Sequence, residues 1–381
     1  MSEIGQQSAG GVRFRPASGD LGAIRAGFRA RLAELGFDGH VSDSITEGAL
    51  AFRLHDDMRR EWLPDWDTLD IAARLNLDVV GNRADQEREI VLALLGGPVS
   101  FDFPSLAGFE SALRVRCNIA TAATKTALSF DTSKAERPPD CWTYVEGCGF
   151  TLRPGKSLVE ALRLATQPDA SGTLYSFSCY RATEYVILLG IAEELATCNP
   201  VLLQRLEDQW RHCAIMSARF HDVFLHEYGS MEAPLPPRYY VPGDRLWFRN
   251  PDERSADVTG FEGSWVFYHG GGLFTNFWKR DCPYTLESKC LEIFHWRDGY
   301  RRDPDGQAWM DESIVADQVL ATLADPARKR DIIARMLRYR DPRGVYQDGG
   351  CIDTTREYPR RVCPGSPELV LPDVKPVAAA K

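Results

Sequence analysis

The sequence predicts an α+β fold in which a cysteine-bearing helix packs on a small antiparallel sheet, preceded by an added helical region. Three observations lead there. Residues 174–195 begin by alternating apolar and small side chains, then pass at Cys179 into an apolar run of good helix formers without proline, a short extended segment entering a buried helix. Residues 264–269 alternate as a strand, meet Gly270, Gly271 and Gly272, and return through Leu273 to Phe277, which is a hairpin by pattern. Helix-period runs lie on both sides of these two features.

Cys179 falls at the join. A cysteine at a helix start faces unpaired N–H groups and the positive end of the macrodipole, both of which favour a thiolate and hence a nucleophile. A plain buried cysteine behaving as a small hydrophobe fits the same position.

The chain in order supports this layout. Ser18 to Asp20 can cap a helix whose Leu21, Ile24, Phe28, Leu32 and Leu35 recur at helical spacing, with Gly36 ending it. Residues 85–95 read as a second helix that stops at Gly96, Gly97 and Pro98, so residues 1–97 are taken as an N-terminal helical extension. Ser105 can cap a helix with Phe109, Leu113, Cys117 and Ala120 inward. Residues 129–140 are a loop, 141–145 and 149–152 strands around a glycine turn, and 158–165 a helix. Residues 200–225 read as amphipathic helix, 239–251 as a turn and an apolar strand, and 286–296 and 312–337 as helices. The main domain therefore spans 98–340, and 341–381 is a Pro/Gly-rich tail whose last residues, 370–381, have little that packs.

Composition narrows the function classes. The 381 residues are 44% hydrophobic and 26% charged, enough for one large or two smaller cores, and the net charge of -9 argues against nucleic acid as a partner. Arg301, Arg302 and residues 328–330 lie among acids and read as solvated surface. The polar first residues carry no signal-peptide core and no stretch approaches roughly eighteen apolar residues, so neither a secretory signal nor a membrane span is expected. Ten irregularly spaced cysteines without a C-x-x-C pair read as scattered cytosolic thiols, neither zinc cage nor disulfide framework. A cytoplasmic protein without cofactor or metal is the expectation.

A cysteine helix followed by a strand hairpin is the arrangement of papain-like thiol enzymes. Val241-Pro242-Gly243-Asp244, Leu246-Trp247-Phe248-Arg249 and the strand, glycine turn and Leu273-Phe274 that follow resemble the core of NlpC-type cell-wall peptidases. Further lines sharpen this: residues 98–107 and 113–123, then Trp142, residues 154–162, Tyr175 to Thr183 around Cys179, residues 243–251, and Gly263 to Phe267. In this order, over residues 98–297, the chain is similar to the spore-coat type protein-glutamine gamma-glutamyltransferases, the small transglutaminases of bacilli.

The resemblance implies a papain-like (NlpC-type) fold and a reaction in which a Cys179 thiolate attacks a glutamine carboxamide, ammonia leaves, and a primary amine takes the acyl group from the thioester. It also implies a carboxylate at the start of the second strand, where this chain has Ser264, an acid before the nucleophile, where it has Ser178, and a histidine where it has Asn276 or Phe277. Glu262, two residues upstream of Ser264 and on the same strand face, is one substitute. His269, beside Gly270, is another, provided a bulge re-aims it; Asn276 can orient a partner but cannot act as a base. His212, His221, His226 and His295 read as structural or exposed.

Three functions stay open. The first joins a protein or peptide glutamine to a primary amine. The second is an amide-forming condensation that takes its acyl group from a thioester on an acyl carrier protein, which needs less leaving-group protonation. The third is a degenerate binding module with the aromatics of residues 239–278 as its contact face, although core packing explains those aromatics as well.

Overall fold

The first residues that the computed structural model describes form β1 (Gly11–Phe14), and the described residues are 10–17, 20–130, 135–341 and 349–372. Then come α1 (Leu21–Leu35), β2 (Val41–Thr46), β3 (Ala49–Leu54), α2 (Asp56–Trp62), α3 (Ile71–Leu75), α4 (Arg83–Gly96) and β4 (Ser100–Phe103). The strands make one sheet in the order β2-β3-β1-β4, with β1 and β4 parallel. Glu47 and Gly48, both at positive φ, close the β2–β3 hairpin in the conformation a two-residue turn requires. Phe14, Phe28, Phe52 and Phe109 meet edge to face at 4.6 to 6.2 Å and form its core.

This corrects the expectation of a helical extension over residues 1–97. The helices α1 and α4 are present, but the strands between them are short, and β3 is buried on both faces, so it shows no alternation to read. Pro98 is not a boundary of the sheet either, because β4 beyond it pairs with β1. Asp20 caps α1 by accepting the Gly22 N–H at 2.7 Å, whereas Ser18 lies outside the described residues.

The second section carries the cysteine helix. It comprises α5 (Leu106–Lys125), capped by Ser105 as expected, the hairpin β5 (Trp142–Val145) and β6 (Gly149–Leu152), α6 (Leu158–Thr166), α7 (Pro168–Ser171), α8 (Cys179–Cys198), α9 (Pro200–His212), α10 (Ala218–Phe224) and β7 (Leu225–Tyr228). The helix expected over residues 200–225 breaks between α9 and α10, where Ser217 takes φ 59°. Of the loop at 129–140, residues 131–134 lie outside the described residues. Cys148, in the β5–β6 turn, is joined to Cys213 after α9 by a disulfide, which overturns the reading of every cysteine as a free thiol. Two cysteines 65 residues apart give no spacing signal, yet closing such a loop stabilises by roughly 4 kcal/mol on chain-entropy grounds.

The last section holds β8 (Arg245–Arg249), α11 (Glu253–Ala256), β9 (Gly263–Gly270), β10 (Leu273–Phe274), β11 (Tyr284–Thr285), α12 (Leu286–Gly299), β12 (Tyr300–Arg302), β13 (Ala308–Met310), α13 (Glu312–Leu323), α14 (Pro326–Met336) and β14 (Arg356–Pro359). Pro326 splits the helix expected over 312–337. A six-stranded antiparallel sheet runs β11-β10-β9-β8-β14-β7. Its two faces follow the alternation: Phe267 packs with α5 and α8, and Leu246, Phe248, Val266 and Tyr268 pack with α12, α13 and α14. The supposed tail of residues 341–381 supplies β14, an interior strand, and is corrected accordingly; residues 373–381 are not described. The aromatics Tyr239, Tyr240, Phe248, Tyr268 and Phe274 are fully buried, so they are core and not a contact face.

Candidate active site

Residues 175–178 are extended, held by Ser129, whose N–H donates to the Tyr175 carbonyl at 3.1 Å and whose carbonyl accepts the Phe177 N–H at 3.1 Å. Ser178 then caps α8 by accepting the Arg181 N–H at 3.3 Å, which leaves Cys179 as the first residue of the helix and half-buried. The sequence therefore locates the cysteine where expected. Around its sulfur, burial pushes the thiol up; the backbone N–H groups of Trp265 and Tyr180 and the charge of Lys289 pull the other way, and the charge of Glu262 adds to burial. Burial wins, so the expectation of a helix-stabilised thiolate is corrected: the resting sulfur holds its proton more tightly than an ordinary cysteine.

The strand beside the sulfur is fixed by aromatic contacts. Trp265 of β9 meets Tyr180 of α8 edge to face at 5.4 Å and stacks on Trp247 of β8 at 5.9 Å. The buried Arg245 guanidinium lies 4.7 Å from the Trp265 ring and 5.3 Å from Tyr180. It is paired with Glu357 of β14, which His221 contacts at 3.2 Å. A chain of side chains from the C-terminal strand thus braces both elements that bracket Cys179.

Cys179 lines a cavity of about 110 Å³ at this end of the sheet. Gly263 and Ser264 of β9 form one wall, Phe130 and Trp278 another, and α12 contributes Lys289, Glu292 and Trp296, with Tyr284 and Glu312 nearby. Lys289 is almost fully buried, 3% exposed, with Nζ 3.2 Å from Glu292 Oε2 and 4.0 Å from the centre of the Tyr284 ring. The Tyr284 hydroxyl donates to Glu292 Oε1 at 3.3 Å. Sequence reasoning placed α12 but gave it no role. The legible signal is a lysine among inward positions with Glu292 and Trp296 three and seven residues on, which lie on one helical face.

The three expected partners of Cys179 are spread apart. Glu262 is exposed, just before β9, and accepts the Gly260 N–H at 3.0 Å, with its charge still felt at the sulfur. His269 lies four residues beyond Trp265, about 13 Å along the strand. The expected bulge exists, since Leu273 pairs with Gly270 and Phe274 with Tyr268, leaving His269 as the extra residue. It aims His269 into a different cavity, of about 320 Å³, which Asn276 also lines. Burial holds His269 neutral, with its pKa pushed down to about 4, and its Nδ1 has no partner. Asn276 spends its side chain on a turn, donating to the Cys282 carbonyl at 3.0 Å and accepting the Lys279 N–H at 3.1 Å. His269 and Asn276 are therefore corrected as direct partners of the cysteine. His212, His226 and His295 bond away from the sulfur: His212 to the Asp208 carbonyl, His226 to Glu368, and His295 to Asp298 and Thr322.

A solved transglutaminase from Geobacillus stearothermophilus, without its C-terminal extension, is similar at 18% identity, with 56% of this chain and 98% of that chain covered and a TM-score of 0.39. No curated protein matches the sequence. The family model described as protein-glutamine gamma-glutamyltransferase matches residues 72–354, starting ahead of Pro98 and ending beyond α14. That is well over half of the chain, and the chain belongs to the protein-glutamine gamma-glutamyltransferase family.

Proposed function

We propose that this protein transfers the γ-acyl group of a glutamine side chain to a primary amine through a thioester on Cys179. The observation that carries the reading is that Cys179, among the free thiols of the described residues, opens a long helix and lines a cavity furnished with Lys289 and Glu292. The cavity is smaller than the usual small-ligand pocket and suits the end of one side chain, with Phe130, Trp278 and Trp296 to cover its aliphatic part. The sulfur attacks the carboxamide carbon, the carbon–nitrogen bond breaks and ammonia leaves; the amine then attacks the thioester carbon and releases the sulfur. The backbone N–H groups of Trp265 and Tyr180, which act on the sulfur in the resting site, are the donors this reading assigns to the oxyanion that each step forms.

The test is intact mass of wild type and Cys179→Ala, first with a brief low dose of iodoacetamide, then with a glutamine peptide and a tagged primary amine. One alkylation absent from the variant, together with Cys179-dependent tagging and ammonia release, is the expected result. Alkylation without tagging would move the reaction to acyl thioester donors, such as those on a carrier protein. No preferential reaction at Cys179 would leave a binding module.

A further inference from the structure

Among the described residues no histidine lines the cavity at Cys179, and its ionisable lining groups besides the sulfur are Tyr284, Lys289, Glu292 and Glu312, so a carboxylate is the base it offers for the proton that moves in an acyl transfer. Among the described residues three carboxylates bear on the site. Glu262 is exposed and its side chain accepts from the Gly260 N–H; Glu312, at the first position of α13, is also exposed. Glu292 differs from both. One of its oxygens accepts from Lys289 Nζ at 3.2 Å and the other from the Tyr284 hydroxyl at 3.3 Å, so the carboxylate is fixed at the cavity wall by two donors. Lys289 in turn is immobilised, buried between the rings of Tyr284 at 4.0 Å and Trp296 at 5.7 Å.

We propose that Glu292 is the proton carrier of the acyl transfer and that Lys289 is a positioning residue that holds its carboxylate in the cavity. This rests on the transamidation reading above. In the first half, the Cys179 proton passes to Glu292 as the sulfur attacks the carboxamide carbon. Glu292 gives it to the nitrogen, the carbon–nitrogen bond breaks, and ammonia leaves with the carboxylate restored. In the second half, the amine attacks the thioester carbon, Glu292 takes its surplus proton, and the carbon–sulfur bond breaks to a thiolate that recovers that proton. Atoms and charge balance as carboxamide plus amine to substituted amide plus ammonia. Lys289 has a second effect, since its charge acts on the sulfur in favour of the thiolate.

Two acyl donors separate this role from a structural one. A glutamine peptide has a leaving group that must be protonated, whereas a γ-p-nitrophenyl glutamyl ester has one that departs as an anion, so that with the ester only the thiol proton has to be moved. Glu292→Gln should lose about 10²- to 10⁴-fold in ammonia release from the peptide, the size of a general acid–base contribution. Its nitrophenol burst, which needs the thiol proton moved but no proton on the leaving group, should fall clearly less than its ammonia release, and Glu292→Asp should recover part of the lost rate. Lys289→Met should move the pH profile of Cys179 alkylation to higher pH. Equal losses with both donors, or ammonia release within about threefold of wild type, would overturn the assignment of Glu292. A wild type that releases neither product in a Cys179-dependent manner would instead overturn the transamidation reading and this role with it.

Discussion

Glu89 and His269 are buried titratable groups at the same β9–β10 turn, and they pull stability in opposite directions with pH. Glu89 accepts from the Tyr268 hydroxyl at 2.6 Å and from the Gly271 N–H at 3.0 Å, yet burial raises its pKa to about 7. A raised folded pKa gives stability that is present below the unfolded value of 4.5 and lost as pH climbs to about 7. His269, pushed down to about 4, gives stability that is present above its unfolded value of 6.5 and lost as pH falls. Each shift corresponds to about 3 kcal/mol, so the two contributions nearly cancel between pH 4.5 and 6.5. Glu89→Gln should therefore gain stability as pH rises across that window, and His269→Asn should lose it, by about 3 kcal/mol in each case. Urea titrations at the two ends check this, and profiles parallel to wild type would refute it. At this scale the sequence disclosed Cys179, because a helix start is written in the residues around it. Glu292 and Lys289 came to share a cavity with Cys179 only when α12 was folded beside the end of β9, a juxtaposition more than a hundred residues apart along the chain.

The cysteine helix depends on one close approach. At Gly190 a Cβ would stand 2.5 Å from Ile119 Cγ1 and 2.9 Å from the Ile119 backbone nitrogen, so α8 and α5 pack nearly backbone to backbone there. Gly190→Ala would add up to about 1 kcal/mol of helix propensity. The clash with main chain should outweigh it, for a net loss of about 1–3 kcal/mol. Thermal denaturation reads the loss, and the rate of Cys179 alkylation reads whether the helix start has shifted. A melting temperature at or above wild type would show that α5 gives way without cost. The long helices were legible because each keeps its own period and cap: Ser105 before α5, Ser178 before α8, and the Thr285 and Ser288 capping box at α12. The short strands were not. β1, β3 and β14 have four to six residues, are largely buried, and gain their identity from partners far along the chain.

For the whole molecule, the question is whether the first ninety-seven residues can be separated from the rest. The contacts say otherwise. The Thr68 hydroxyl donates to the Tyr240 carbonyl at 2.7 Å and accepts the Tyr240 N–H at 2.8 Å, and the Tyr239 hydroxyl donates to the Ala93 carbonyl at 3.0 Å. These bonds seat the N-terminal section on the turn that leads into β8. In that turn the buried Asp244 pairs with Arg116 of α5 at 2.7 Å and also accepts the Val241 N–H at 2.8 Å. Glu89 reaches across to the β9–β10 turn. Without residues 1–97, β4 loses β1, and Phe101, Phe103, Phe109, Leu113 and Tyr239 lose the aromatic and aliphatic cover of α1 and α4. Five buried side chains uncovered at about 1.5–3 kcal/mol each amount to as much as the whole stability of an ordinary domain. A protein beginning at Pro98 should therefore accumulate as aggregate, or remain soluble without a cooperative melt and without selective alkylation of Cys179. Near-ultraviolet circular dichroism on heating, with intact mass after a brief dose of iodoacetamide, tests this directly. A sharp melt with Cys179 still selected would make the N-terminal section a separable module, and the four-stranded sheet would then be an addition to the catalytic core instead of part of its foundation.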